Sequence, residues 1–288
     1  MTASVVRLFS EGEQPLQETH LHTNDPGLFG PNSVSWKVMG DVSSFVGGVR
    51  ALLLQALHPE VAAGVADHSQ YKTDPLGRLN RTSFFVTTVN YGAMPEVQEA
   101  VAVVRAAHKP VSGTSERGIA YSANQPQLGA WVQNTLTDSF LDAYQNFCQP
   151  LEPKDADRFV LEQSKIGELL GISELPLTAR ELREWITEHP QLGSSEALRQ
   201  AWTFLQKPPL QPSQLLGYRI VRAAAVSTLP TNLAALANAS YPRGSFFAGR
   251  RLIASLRWAL KHSPSWKAAL DRCGAPYDAR TFRSFEDR

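Results

Sequence analysis

Cysteine is nearly absent from this chain: 288 residues contain only Cys148 and Cys273. Two lone thiols so far apart supply no disulfide framework, no CxxC zinc site and no CxxCH for covalent haem attachment. Long apolar runs are missing too, since no stretch reaches the ~18–20 uninterrupted apolar residues of a membrane span. The opening segment Met1-Thr2-Ala3-Ser4-Val5-Val6-Arg7 lacks the basic-then-apolar pattern of a secretion signal, which makes a cytoplasmic location the default expectation. Neither sign of charge dominates. With 28 basic and 27 acidic residues the net charge is +1, and no dense Lys/Arg run suggests a nucleic-acid partner. The sequence also lacks GxGxxG after a strand, GxxxxGK[ST], GxSxG and HExxH, which leaves dinucleotide, P-loop, serine-hydrolase and zincin chemistry without a motif.

What is there is ordinary globular material, 43% hydrophobic and 19% charged, in a chain long enough to bury a cofactor pocket. Residues 1–35, with Asp25-Pro26-Gly27 and Gly30-Pro31, read as an irregular arm, and 36–288 as one helical domain. From Ser43, Phe45, Val49, Leu52, Leu53, Ala56 and Leu57 recur at helical spacing, and Ala51–Leu57 is apolar almost all round, as in a central buried helix. Pro59 predicts a break at His58. The β-branched and aromatic stretch Arg78–Tyr91 would suit a strand, but Arg78, Thr82, Phe85 and Val89 repeat on one face, so helix is preferred. Pro95 opens a further helix that Pro110 ends. Helical patterns continue over about 125–147, 155–170, 178–189, 193–205, 210–226, 230–239 and 245–271. The expected product is all-α, a single domain of about ten helices.

Few residues stand out as chemical. On the helix from Pro95 to Lys109 the apolar stripe Val97, Val101, Val104 continues to His108, whose ring is therefore expected to face the core. Such an imidazole is either a histidine bonded to a carbonyl or carboxylate, or a ligand to a metal or haem iron. Arg78 and Thr82 share a helix face beside Arg81; guanidinium forks there suit a carboxylate, either a ligand's or that of a neighbouring Asp or Glu. His58 and His68 are too far apart to grip one ion, and His58 is expected to be structural and hydrogen-bonded. Gly113-Thr114-Ser115-Glu116 reads as a loop. Glu181, Glu184 and Glu188 read as a solvated helix face, and no Glu-x-x-His pair of a di-iron site is present.

Several stretches, in order, resemble one family. They are Gly40-Asp41, Gly48-Val49-Arg50-Ala51-Leu52-Leu53-Leu54-Gln55, His58-Pro59, His68-Ser69 and Asp74-Pro75-Leu76-Gly77-Arg78-Leu79 with Arg81-Thr82. Tyr91-Gly92, Val104-Arg105 before His108, Val111-Ser112-Gly113, Tyr121-Ser122-Ala123-Asn124, Trp131-Val132, Leu170-Gly171 and Leu175-Pro176 continue the series. The set is similar, over about residues 28–190, to the catalytic domain shared by latex clearing proteins (rubber oxygenases) and MpaB-type oxygenases. The resemblance implies a globin-like helical core around a pocket for non-covalent haem b. It also implies O₂-dependent oxidation, in the best-known members cleavage of an isoprenoid double bond. By motif position His108 resembles the proximal iron ligand, and Arg78 and Thr82 the Arg/Thr pair close to the haem. Arg81 stands where rubber oxygenases can carry a lysine, Gln133 where a histidine often follows Trp-Val, and Glu60 is the nearest counterpart of the acidic residue taken as base. The resulting expectation is a haem b-dependent oxygenase acting with O₂ on a small hydrophobic, isoprenoid-like substrate. The alternatives are a non-catalytic haem binder or sensor, and a cofactor-free helical ligand-binding protein.

Overall fold

The computed structural model describes residues 15–70 and 73–276, and among them the protein is all-α apart from one two-stranded hairpin. Thirteen α-helices are present among the described residues, rather than about ten. The first, α1 (Val34–Met39), is capped by Ser33, whose hydroxyl accepts from Trp36 N. Between residues 15 and 33 the chain is irregular save for a 3₁₀ turn at Thr19–Leu21; the part of the expected arm at residues 1–14 lies outside the described residues.

The core is organised on α2 (Ser44–Gln55) and, later in the chain, the 22-residue α6 (Pro126–Phe147). No residue of α2 is fully exposed and most of α6 is buried, in keeping with the all-round apolar pattern of Ala51–Leu57; Leu53, Leu54 and Leu57 join Trp131, Phe140, Leu141 and Tyr144 in one cluster. The two helices approach closely because Gly47 has no side chain: a Cβ there would stand 2.7 Å from Phe140 Cδ1 and 3.1 Å from the Ser139 carbonyl oxygen. One helical turn on, the buried Arg50 donates to Asp138 (2.6 Å) and Ser139 (3.0 Å) and lies 3.4 Å from Asp142. Arg183, on α8 (Ala179–Thr187), meets the same carboxylates at 3.1 and 3.0 Å. Two cations and two anions thus knit three helices, and Arg183 is held above its ordinary pKa: burial opposes its charge, but Asp138 and Asp142 outweigh burial.

Proline sets most of the remaining boundaries. Pro59 opens α3 (Pro59–His68) after the predicted break, with His58 extended. Pro75 opens α4 (Pro75–Tyr91), where Asp74 accepts from Gly77 N at 2.9 Å. Helix α5 (Met94–His108) follows after the two-residue link Gly92-Ala93. Of Gly113–Glu116, expected to form a loop, Gly113 and Thr114 instead lie in the strand β1 (Ser112–Thr114), which pairs antiparallel with β2 (Ala120–Ser122), while Ser115 and Glu116 lie in the turn between the strands. Helix α7 (Pro153–Leu170) lies against α1 and α6, and its Glu162 accepts from Val34 N and Ser35 N at 3.3 and 2.7 Å, placing a carboxylate where the start of α1 is electropositive.

The C-terminal part adds α9 (Glu196–Gln206), α10 (Pro212–Ser227), α11 (Thr231–Leu236), α12 (Ser245–Leu260) and α13 (Pro264–Arg272). The helical pattern over 245–271 is two helices, not one. Lys261 takes φ +59, a left-handed conformation that ends α12, and Pro264 starts α13 beneath a Ser263 cap on Trp266 N. Helix α12 is anchored by a buried bidentate pair, Arg257 Nε and Nη2 to Asp41 at 2.6 and 2.9 Å, and Arg257 also donates to the Phe147 carbonyl. Its Gly249 allows contact with α10, since a Cβ would lie 2.5 Å from Ala224 Cβ.

Candidate functional site

Helices α4 and α5 turn back on each other through Gly92-Ala93, and only their adjoining halves enter the core. Buried residues are Thr88 to Tyr91 on α4 and Val97, Ala100 and Val101 on α5, where Val89, Val97, Val101 and Ile166 form a cluster with the half-buried Phe85 against it. The far halves leave the core, and they carry Arg78, Arg81, Thr82 and His108.

His108 is the last residue of α5 and is exposed, which corrects the expectation of an inward-facing ring. The stripe that predicts burial is fully buried at Val97 and Val101, half-buried at Val104, and out of the core by His108. Helical spacing gives the direction of a side chain but not where the neighbouring helix stops covering it. The ring carries no hydrogen bond to another described residue, so among these the alternative of a histidine bonded to a carbonyl or carboxylate is not met. Partial desolvation by the surrounding protein lowers its pKa below 6.5, leaving the imidazole neutral at pH 7. Its backbone is well fixed: the His108 carbonyl accepts from Val111 N (3.1 Å) and Asn124 Nδ2 (3.3 Å). The β-hairpin between those two residues is tied to α3 by His68 Nε2 on the Ser112 carbonyl (3.0 Å) and by the Tyr121 hydroxyl donating to Asp67.

Arg81 pairs with a neighbouring aspartate, the second of the two expected carboxylate partners. It is exposed and meets Asp74 Oδ2 at 3.3 Å. The Thr82 hydroxyl donates to the carbonyl of Arg78 (3.1 Å) within its own helix, and Arg78 is half-buried. Gln133 is buried elsewhere, donating to the Gln163 carbonyl at 3.0 Å, while Gln163 bonds Ser35 and Asn90. It belongs to a polar seam between α6 and α7. Glu181, Glu184 and Glu188 are exposed, as expected.

A second constellation joins residues that no sequence pattern links. Glu60, in the first turn of α3, is buried and accepts from Ser115 (2.7 Å) and from Arg117 through Nε (3.1 Å) and Nη2. His58, also buried, has Nε2 3.0 Å from Gln191 Oε1 and Nδ1 3.3 Å from Glu60, the structural role its sequence setting predicts. Burial opposes the charge of Glu60, yet the bonds from Arg117 and Ser115 hold its pKa below 4.5. Burial likewise lowers His58. Beside it His189, in tilted and edge contact with Trp131 (4.9 Å) and Trp185 (4.7 Å), is pushed down to about 4 by burial and by His58. Arg117 is 57 residues from Glu60, and no local spacing announces the pair.

Among the described residues no cluster of three or more His, Cys, Asp or Glu is arranged to hold a metal ion. A cavity of about 290 Å³ lies away from His108, lined by Asn32, Trp36, Trp266 and Pro276 among others. The donor set on α4 and α5 nevertheless suits non-covalent haem: a neutral imidazole with no bond to another described residue, an arginine able to pair with a carboxylate, and half-buried Phe84 and Phe85. No curated protein and no solved structure matches the chain. Residues 36–258, from α1 into the last turn of α12 and so well beyond the stretch that carries the resemblance, match the family model described as the catalytic domain of ER-bound oxygenase mpaB/B′ and rubber oxygenase, and the chain belongs to that oxygenase family.

Proposed function

We propose that this protein is a haem b-dependent oxygenase that acts with O₂ on a small hydrophobic, isoprenoid-like substrate. Family membership supports the oxidative class, and one local observation carries the cofactor reading: His108, neutral and without a hydrogen bond to another described residue, on a backbone held from both sides by Val111 and Asn124. When bound, haem b supplies the iron at which O₂ is activated. The chain's own contributions follow from residue chemistry. His108 offers an imidazole lone pair without having to lose a proton at pH 7. Arg78 offers a guanidinium fork to a propionate-type carboxylate, and Arg81 is a second such cation whose present partner is an exposed aspartate. Because arginine stays protonated, position 81 contributes no lysine-type amine ligand to iron. Phe84 and Phe85 give the same helix an apolar side for an uncharged substrate.

The solvent-facing His108 ring and the Arg81–Asp74 pair favour a second reading, a family member that binds an apolar ligand without haem. Absorbance and oxygen consumption separate the two. Protein produced with a haem precursor should carry a Soret band through gel filtration and consume O₂ with a polyprenyl or terpenoid substrate. Colourless protein that takes up no added haem supports the second reading. A Soret band without O₂ consumption identifies a haem binder or sensor instead.

A further inference from the structure

Residues 197–270 contain ten lysines and arginines and not one aspartate or glutamate. The whole chain carries +1, so outside this segment acidic residues outnumber basic ones by nine. An almost neutral protein is therefore divided into an acidic body and a basic end built from α9 to α13. Part of that positive charge is used internally: Arg257 is paired with Asp41, and Arg199 with Glu196. Arg243, Arg250 and Arg251 are exposed and form no ion pair with a described residue.

Helix α12 has a buried side and an exposed apolar stripe. Gly249, Ile253 and Arg257 form the buried side, against α10 and the Asp41 turn. Away from that side Phe247 is 69% exposed and Trp258 is 83% exposed. Phe247, Ala254 and Trp258 stand at i, i+7 and i+11, a single stripe within roughly 40° at 3.6 residues per turn. Arg250 and Arg251 fall on either side of that stripe. Leaving an indole and a phenyl ring on one helix face in water is unfavourable, although they stand about 16 Å apart along the axis, and arginines flanking an apolar line are the pattern of a helix that rests in a membrane interface.

We propose that the outer face of α12 docks this protein onto an anionic phospholipid bilayer. Phe247 and Trp258 enter the boundary between headgroups and acyl chains, and Arg243, Arg250 and Arg251 meet the headgroup phosphates and carboxylates. Charge complementarity selects this partner, because a flat anionic surface engages the apolar stripe and its flanking cations together. A polynucleotide would use the cations and leave the stripe in water. No helix among the described residues is long and apolar enough to cross a membrane, so the docking is peripheral. The inference stands independently of haem binding.

The test is co-sedimentation of the full chain with phosphatidylcholine–phosphatidylserine vesicles and with phosphatidylcholine vesicles alone, together with tryptophan emission. Binding to the anionic vesicles only, a blue shift of emission and release by salt are expected. The R250Q/R251Q double variant should lose about fivefold in partitioning for each arginine. The F247A/W258A double variant should lose roughly tenfold or more and the blue shift as well. Both pairs are exposed and should leave the thermal melt unchanged, and each variant tests the proposal without the other. The proposal is overturned by absence of binding at low ionic strength, or by binding that neither double variant weakens. It is also overturned by a stable dimer that F247A/W258A dissociates, or by RNA binding that competes with vesicles and ignores the aromatic changes.

Discussion

Replacing Arg50 by methionine removes one of the two cations that hold Asp138 and Asp142 beneath the surface. Both carboxylates are almost fully buried, at 3% and 8% side-chain exposure, and the remaining cation, Arg183, is 40% exposed. The packing change is small, since methionine keeps the unbranched stem. The electrostatic change is large, because two buried negative charges are left to share one partly solvated guanidinium. Breaking such a buried arrangement by deleting one partner costs about 3–5 kcal/mol. In a domain of this size each kcal/mol moves the thermal midpoint by roughly 2–4 °C, so a fall of about 6–20 °C is expected. Urea unfolding followed by circular dichroism should show a lower midpoint with an unchanged slope. The compensated variant Arg50→Met/Asp138→Leu should recover much of the loss, because it leaves one carboxylate facing one guanidinium. A loss below about 1 kcal/mol for Arg50→Met, the range of a surface pair, would refute the reasoning.

Other perturbations follow from the same geometry. Gly47→Ala puts a Cβ 2.7 Å from Phe140 Cδ1 and should destabilise the protein by about 1–3 kcal/mol in a denaturant titration; an unchanged midpoint would show that α2 and α6 can move apart freely. His189 stays neutral in the folded protein down to about pH 4 but is protonated below 6.5 when unfolded, so wild-type stability should fall as pH drops from 6.5 to 4. His189→Phe should flatten that slope, by about 2–3 kcal/mol across the window. Arg81→Ala should change stability by less than about 1 kcal/mol, since the Asp74 pair is exposed; any loss of haem retention in that variant then reports on binding rather than folding.

Much of the helical layout is legible because proline and capping residues mark it locally. Pro59, Pro75, Pro126, Pro153 and Pro212 each sit in the first turn of a helix, and Asp74, Ser33 and Thr178 cap by side-chain oxygens. The β-rich composition of Arg78–Tyr91 does not override its helical period, since Thr88 to Tyr91 are secured by burial. The break between α12 and α13 is written in Pro264, yet the apolar period continuing on both sides hides it. Burial is harder to read than direction. The stripe leading to His108 is real, but its outer end emerges where α4 and α5 leave the core, a consequence of three-dimensional packing. The Glu60–Arg117 network and the Arg50–Asp138–Asp142–Arg183 cluster join residues 57 and 88 positions apart, and no local pattern encodes such pairings. The basic C-terminal end is fully present in the sequence, but an overall charge of +1 conceals it.

Haem retention decides the cofactor reading. Wild-type protein and His108→Ala, produced with added haem precursor and passed through gel filtration, should differ sharply in Soret absorbance while sharing one circular dichroism spectrum, and His58→Ala should keep much of the band provided the protein still folds. A Soret band of equal intensity in His108→Ala, or its absence from the wild-type protein after reconstitution with haem, would contradict His108 as the iron ligand.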